Sequence, residues 1–116
     1  MNTPGDKAVI DVILAEGRLI GMGNSLLSSN PAAALSFFEW AAERNPLSPN
    51  AHISLAAGYE AAGRADQAVA EARKTLDLLD KASGLSESRK KAIRETATAL
   101  LERLRGIRKG ANPSSL

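Results

Sequence analysis

The 116-residue chain has the length of one domain, and 44% hydrophobic against 24% charged residues is the balance of a globular protein with its own core. It has no cysteine, which excludes disulfides, thiolate metal sites and thiol catalysis. Only 3% of it is aromatic, which, with its many alanines, favours close helix packing over a β-sandwich. The net charge of +2 divides unevenly: residues 1–80 hold six Lys/Arg against ten Asp/Glu (−4), and residues 81–116 hold nine against three (+6). Such asymmetry suits an acidic partner, steered association or head-to-tail pairing of two copies. No run approaches the roughly 20 apolar residues of a membrane span. The opening residues lack the cationic region and long apolar stretch of a signal peptide, so the expected compartment is the cytoplasm.

Residues 1–14 read as an apolar N-terminal segment, with Asp6 as helix cap and Val9 to Leu14 apolar on most of the circumference. The Val and Ile content lowers helix propensity, so a short strand is the alternative for this stretch. Helical character continues through Leu27, where Gly17, Gly21 and Gly23 each cost about 1 kcal/mol relative to Ala. That cost points to close backbone packing or a break near Gly21. Asn30 and Pro31 cap and start the next helix, which runs to about Arg44 with Ala34, Leu35, Phe38, Ala41 and Ala42 inward. Leu47–Asn50 is a turn, and the third helix spans about Asn50 to Ala62 with Gly63 as its left-handed stop. The fourth runs about Ala65 to Asp80, burying Ala68, Val69, Ala72, Leu76 and Leu79. Ser86 caps a fifth, about Glu87 to Ile107, with Ile93, Ala97, Leu100, Leu101 and Leu104 on one stripe and Arg89, Lys90, Lys91 and Arg94 on its early turns. Residues 110–116 have the composition of a disordered tail.

One pattern occurs twice. Ala34 pairs with Ala68, Leu35 with Val69, Ser29 with Gly63, and the helix start Asn30-Pro31 with Arg64-Ala65, all at an offset of 34. With Leu55, Tyr59, Gly63, Ala68 and Leu76 in one unit and Ala34, Phe38, Ala41 and Pro46 in the other, the chain resembles the tetratricopeptide repeat family. The first helix departs most from that pattern, with Gly21 and Ser25 at the Leu and aromatic positions, and His52, Ala56, Ala72 and Asp80 depart in the second unit. The resemblance implies an all-α, right-handed stack of two helical hairpins, repeats about 15–48 and 49–82, closed by a capping helix at about 87–107. The run from Asn30 to Asn50, followed by Gly58 to Gly63, is also similar to short repeat pairs appended to some serine hydrolases and β-lactamase-like proteins. That likeness implies a dimerising or regulatory appendage of a larger hydrolase.

From the family resemblance, the first helix of each repeat lines a groove for a protein or peptide partner. By position this gives Glu16, Leu19, Gly23 and Leu27, then Asn50, Ile53, Ala57, Glu60 and Ala61, with Lys90, Lys91 and Arg94 as a basic wall. The alternative is a groove filled by the N-terminal segment or by a second copy. Phe37 and Trp40, three apart on the second helix, form a possible aromatic interface, covered by Val9 to Leu14 in cis or across a homodimer. His52, the only histidine, has no second His for a metal site and reads as a packing residue with one hydrogen bond. Gly21-Met-Gly23-Asn-Ser lacks the lysine and preceding strand of a phosphate loop, and no pair of carboxylates is spaced for acid–base work. The chain is therefore expected to be a non-enzymatic scaffold without metal or cofactor. A weak electrostatic hold on nucleic acid by the basic fifth helix is the rival, and specific binding is not expected.

Overall fold

The computed structural model describes residues 15–111, with side chains to Arg105, and over these the chain is all-helical. Five helices follow one another: α1 (Glu16–Leu26), α2 (Pro31–Arg44), α3 (Pro49–Ala61), α4 (Ala65–Lys81) and α5 (Glu87–Ala111). No helix among the described residues is long and apolar enough to cross a membrane. The expectations for Asp6 and for Val9 to Leu14 lie outside the described residues, as does most of the expected tail.

Local chemistry sets the helix ends. The Asn30 side chain accepts from the Ala33 amide at 3.2 Å, with Pro31 at the first helical position of α2. Ser48 does the same for α3, accepting from Ala51 N at 3.2 Å ahead of Pro49, so α3 begins inside the stretch expected to be a turn. Ser86 caps α5 through the Arg89 amide, and α5 continues beyond the expected end at Ile107 to Ala111. Gly63, at φ +77°, stops α3 and lets the Arg64 amide turn back to the Tyr59 carbonyl at 2.8 Å. Of the two readings of the Gly21 region, close packing or a break, no break is found: α1 is continuous, and Ala15 before it is extended (ψ 145°).

The connections are short, and consecutive helices pack together, so each pair turns back on itself. Beyond these neighbours, α1 approaches α3 and α3 approaches α5, whereas no Cα atoms of α2 and α4 come within 8 Å of each other. The odd-numbered helices thus form a contiguous layer, with α2 and α4 behind it. Two clusters make the core. One joins α1, α2 and α3 around Leu19, Phe38 and Leu55; the other joins α3, α4 and α5 around Ile53, Leu79 and Leu100. The stripes read from sequence on α2, α4 and α5 are buried here, except that Leu76 and Leu101 are half-buried and a fully buried Thr75 joins α4.

Phe38, with no exposed surface, holds the first cluster together. Gly23 of α1 and Gly58 of α3 leave room for its ring. A Cβ built on Gly23 would lie 2.4 Å from Phe38 Cε1, and one on Gly58 would lie 2.7 Å from Cδ2. Carbon atoms sit ordinarily at about 3.5–4.0 Å. Both glycines therefore let two helix backbones close on one aromatic ring. The offset of 34 holds for α2 against α4. The α1–α2 connection (27–30) is one residue longer than α3–α4 (62–64), so upstream of it the offset becomes 35. Buried Ile20, not exposed Gly21, then stands opposite buried Leu55.

Candidate interaction surface

The open side of α3 carries Asn50, Ser54, Ala57 and Ala61, spaced i, i+4, i+7 and i+11 so that they share one face. Asn50, Ser54 and Ala57 are half-buried and Ala61 is exposed. On α1 the exposed Gly17, Gly21 and Asn24 have the same spacing. Sequence reasoning placed Asn50, Ala57 and Ala61 on this surface and missed Ser54, Gly17, Gly21 and Asn24.

Several residues expected in the groove serve the fold. Leu19 is 1% exposed and Ile53 is 7% exposed, both in the core clusters, so neither is available to a ligand. Gly23 lies against Phe38, and Leu27 is half-buried against the same cluster. Glu16 accepts a hydrogen bond from the Ser48 hydroxyl, which also caps α3. That bond ties the start of α1 to the start of α3. Glu60 receives two parallel hydrogen bonds from Arg103 of α5, Nε to Oε2 at 3.0 Å and Nη2 to Oε1 at 2.9 Å. The hydrogen bond to Glu60 is the main reason the guanidinium is raised above its ordinary value; partial burial opposes it.

The basic wall is displaced from its expected place. Arg94 and Arg103 are nine residues apart, which at about 100° per residue puts them half a turn from each other. With Arg103 reaching α3, Arg94 points away from it. Lys91 and Arg94 are exposed, and Lys90 is half-buried with a loose contact of 3.9 Å to Glu87. The cation beside the α3 stripe is therefore Arg103, which sequence reasoning missed. Only its spacing from the buried Leu100 and Leu104 could have suggested it.

His52 is 4% exposed and spans three elements. Its Nε2 donates to the Pro46 carbonyl in the α2–α3 turn at 2.8 Å, and its Nδ1 lies 2.7 Å from a Glu71 carboxylate oxygen on α4. A packing role was expected, with one partner where two are found. Among the described residues no group of three or more His, Asp or Glu is placed to hold a metal, and no buried side-chain polar atom lacks a partner. Tyr59, half-buried near this pair, has its phenol raised above the ordinary tyrosine value, first by burial and then by the charges of Glu39 and Glu71.

Two further features are open to a partner. Leu47 (77% exposed), Leu78, Leu85 and Lys81 rim a mostly apolar cleft of about 430 Å³ that Asn50 shares with the α3 stripe. On α2, Phe37 and Trp40 stack edge-to-face with centroids 5.6 Å apart, Trp40 being 51% exposed and Phe37 half-buried. No protein-family model, curated protein or solved structure matches this chain.

Proposed function

We propose that the chain is a tetratricopeptide-type stack of two hairpins, α1–α2 and α3–α4, with α5 as cap, and that it works by holding an extended peptide or a helix of a partner protein. The observation that carries this reading is the packing order: the backbones of α1, α3 and α5 approach one another in succession, while those of α2 and α4 stay apart. A stack of that kind presents its first helices side by side, and the surface they share suits a segment lying across them. The contact residues are Asn50, Ser54 and Ala57 in the middle, Gly17 and Asn24 on one side, and Arg103 with Glu60 on the other. Small side chains leave the backbone of α1 and α3 approachable, and the ion pair supplies polar partners at the rim. The cleft beside Asn50 offers an apolar anchor point at one end.

A photo-reactive residue placed at Ala57 and, separately, at exposed Ala70 on α4 tests this. The Ala57 position is expected to label a protein partner from cell extract, and that labelling should fall when Asn50→Arg or Ser54→Arg fills the stripe. Equal labelling from Ala70, or labelling indifferent to both arginines, removes the reading.

A further inference from the structure

The start of α2 and the end of α3 enclose a cavity of about 550 Å³, inside the range of about 300–1,000 Å³ usual for small-ligand sites. Ala32, Leu35, Ser36 and Glu39, spaced i, i+3, i+4 and i+7, form one wall from a single face of α2. Ala61 and Ala62, where α3 ends, and Arg64 beyond Gly63 form the other. One carboxylate and one guanidinium thus stand on different elements, with small or apolar residues between them. No ion pair joins Glu39 to Arg64, or either of them to another described residue. Glu39 is half-buried, so its charge lacks a cation in a place that is partly withdrawn from water.

Two further observations concern these charges. Tyr59 packs against both core clusters. Its phenol is raised first by burial and then by Glu39 and Glu71, and is lowered by Arg64, so it lies within electrostatic reach of both cavity charges. Arg64 is also a poor residue for its place in the chain. Asn30, Ser48 and Ser86 cap α2, α3 and α5 with a side-chain oxygen, whereas Arg64 begins α4 with no side-chain cap bond. It sets a cation at the positive end of the helix dipole. Helix stability alone does not select an arginine there; a ligand that needs a cation would.

We infer that this cavity binds a free α-amino acid with an apolar side chain, its ammonium on the Glu39 carboxylate and its carboxylate on the Arg64 guanidinium. The planar fork of a guanidinium matches a carboxylate, and both contacts are charge-assisted. Leu35, Ala61 and Ala62 take the side chain. A residue inside a peptide chain lacks both charged groups, so this ligand is distinct from the segment proposed for the surface of α1, α3 and α5.

Titration of the isotope-labelled protein with L-leucine, followed by amide shifts in NMR spectra, tests the assignment. Saturable shifts are expected at Ser36, Glu39, Ala62 and Arg64. N-acetyl-L-leucine and L-leucine methyl ester each lack one charge and should bind at least about tenfold more weakly. Glu39→Gln should erase the preference for L-leucine over the N-acetyl compound and keep the preference over the ester; Arg64→Gln should do the reverse. That crossed pattern does not arise from a general loss of folding. Lys81→Gln, in the cleft beside Asn50, should change none of these preferences, and a change there places the site elsewhere and overturns the inference. It is also overturned if no saturation appears at about 10 mM L-leucine, where a site with a Kd of about 1 mM is mostly filled. Equal binding of the three compounds, the mark of an apolar crevice indifferent to charge, overturns it as well.

Discussion

The ring of Phe38 between Gly23 and Gly58 gives the sharpest prediction. A methyl group at Gly23 would meet Phe38 Cε1, Cδ1 and Cζ at 2.4, 2.7 and 2.8 Å, each about 1 Å inside ordinary contact. The ring cannot retreat, since its far edge faces Gly58, where a Cβ would already be at 2.7 Å from Cδ2. Gly23→Ala must therefore push α1 outward, an overpacking cost of about 1–3 kcal/mol. Against it stands the gain of about 1 kcal/mol from replacing glycine inside a helix. Gly21, in the same helix and exposed, meets nothing within 4 Å of an added Cβ, so Gly21→Ala collects the gain alone. The difference between the two variants removes the helix term and leaves the steric one, about 1–3 kcal/mol. Urea unfolding followed by circular dichroism measures it, and thermal melts should separate the two by several degrees, at about 4–8 °C per kcal/mol for a domain of this size. Phe38→Leu in the Gly23→Ala background should lessen the penalty, with a coupling of at least about 0.5 kcal/mol. Equal stability of Gly21→Ala and Gly23→Ala would refute the close approach.

Three more outcomes follow from the polar contacts. His52→Ala abandons the Pro46 carbonyl and the Glu71 carboxylate, and should cost about 1–3 kcal/mol in urea unfolding; Glu71→Gln places an amide there that can pair with Nδ1 as donor or acceptor and should cost less. Arg103→Ala breaks a pair whose arginine side chain is 55% exposed, so a loss of no more than about 1 kcal/mol is expected, fading near 1 M salt, where the Debye length is about 3 Å. Tyr59 has its pKa raised in the fold, so the neutral phenol is the favoured form. Its contribution is complete below the ordinary tyrosine range and is lost as pH rises through the elevated value; Tyr59→Phe should flatten that alkaline decline in melting temperature.

What the sequence made legible follows from which physics is local. Helix starts at Asn30 and Ser86, the stop at Gly63 and the apolar stripes of α2, α4 and α5 depend on residues within a turn or two, and each could be read from spacing. Gly23 and Gly58 could not be told apart from Gly17 and Gly21 in the same way. What distinguishes them is Phe38, fifteen residues from one and twenty from the other, and the cost of a glycine is recovered only where a distant ring needs the space. The interaction surface failed for a related reason. A resemblance assigns roles by position along the chain, and position does not fix how α1 is turned about its own axis: Leu19 and Gly23 face the core, and Gly17, Gly21 and Asn24 are exposed. Charge misled in the same manner. Lys90, Lys91 and Arg94 are conspicuous because they are adjacent in sequence, yet adjacency on a helix scatters side chains around it. The lone Arg103, placed by its register with Leu100 and Leu104, is the cation that reaches α3. In a stack of helices, rotational phase decides which side chains meet a partner, and that phase is set by packing against distant helices. A helix turned about its own axis therefore changes the surface while leaving the hairpins recognisable.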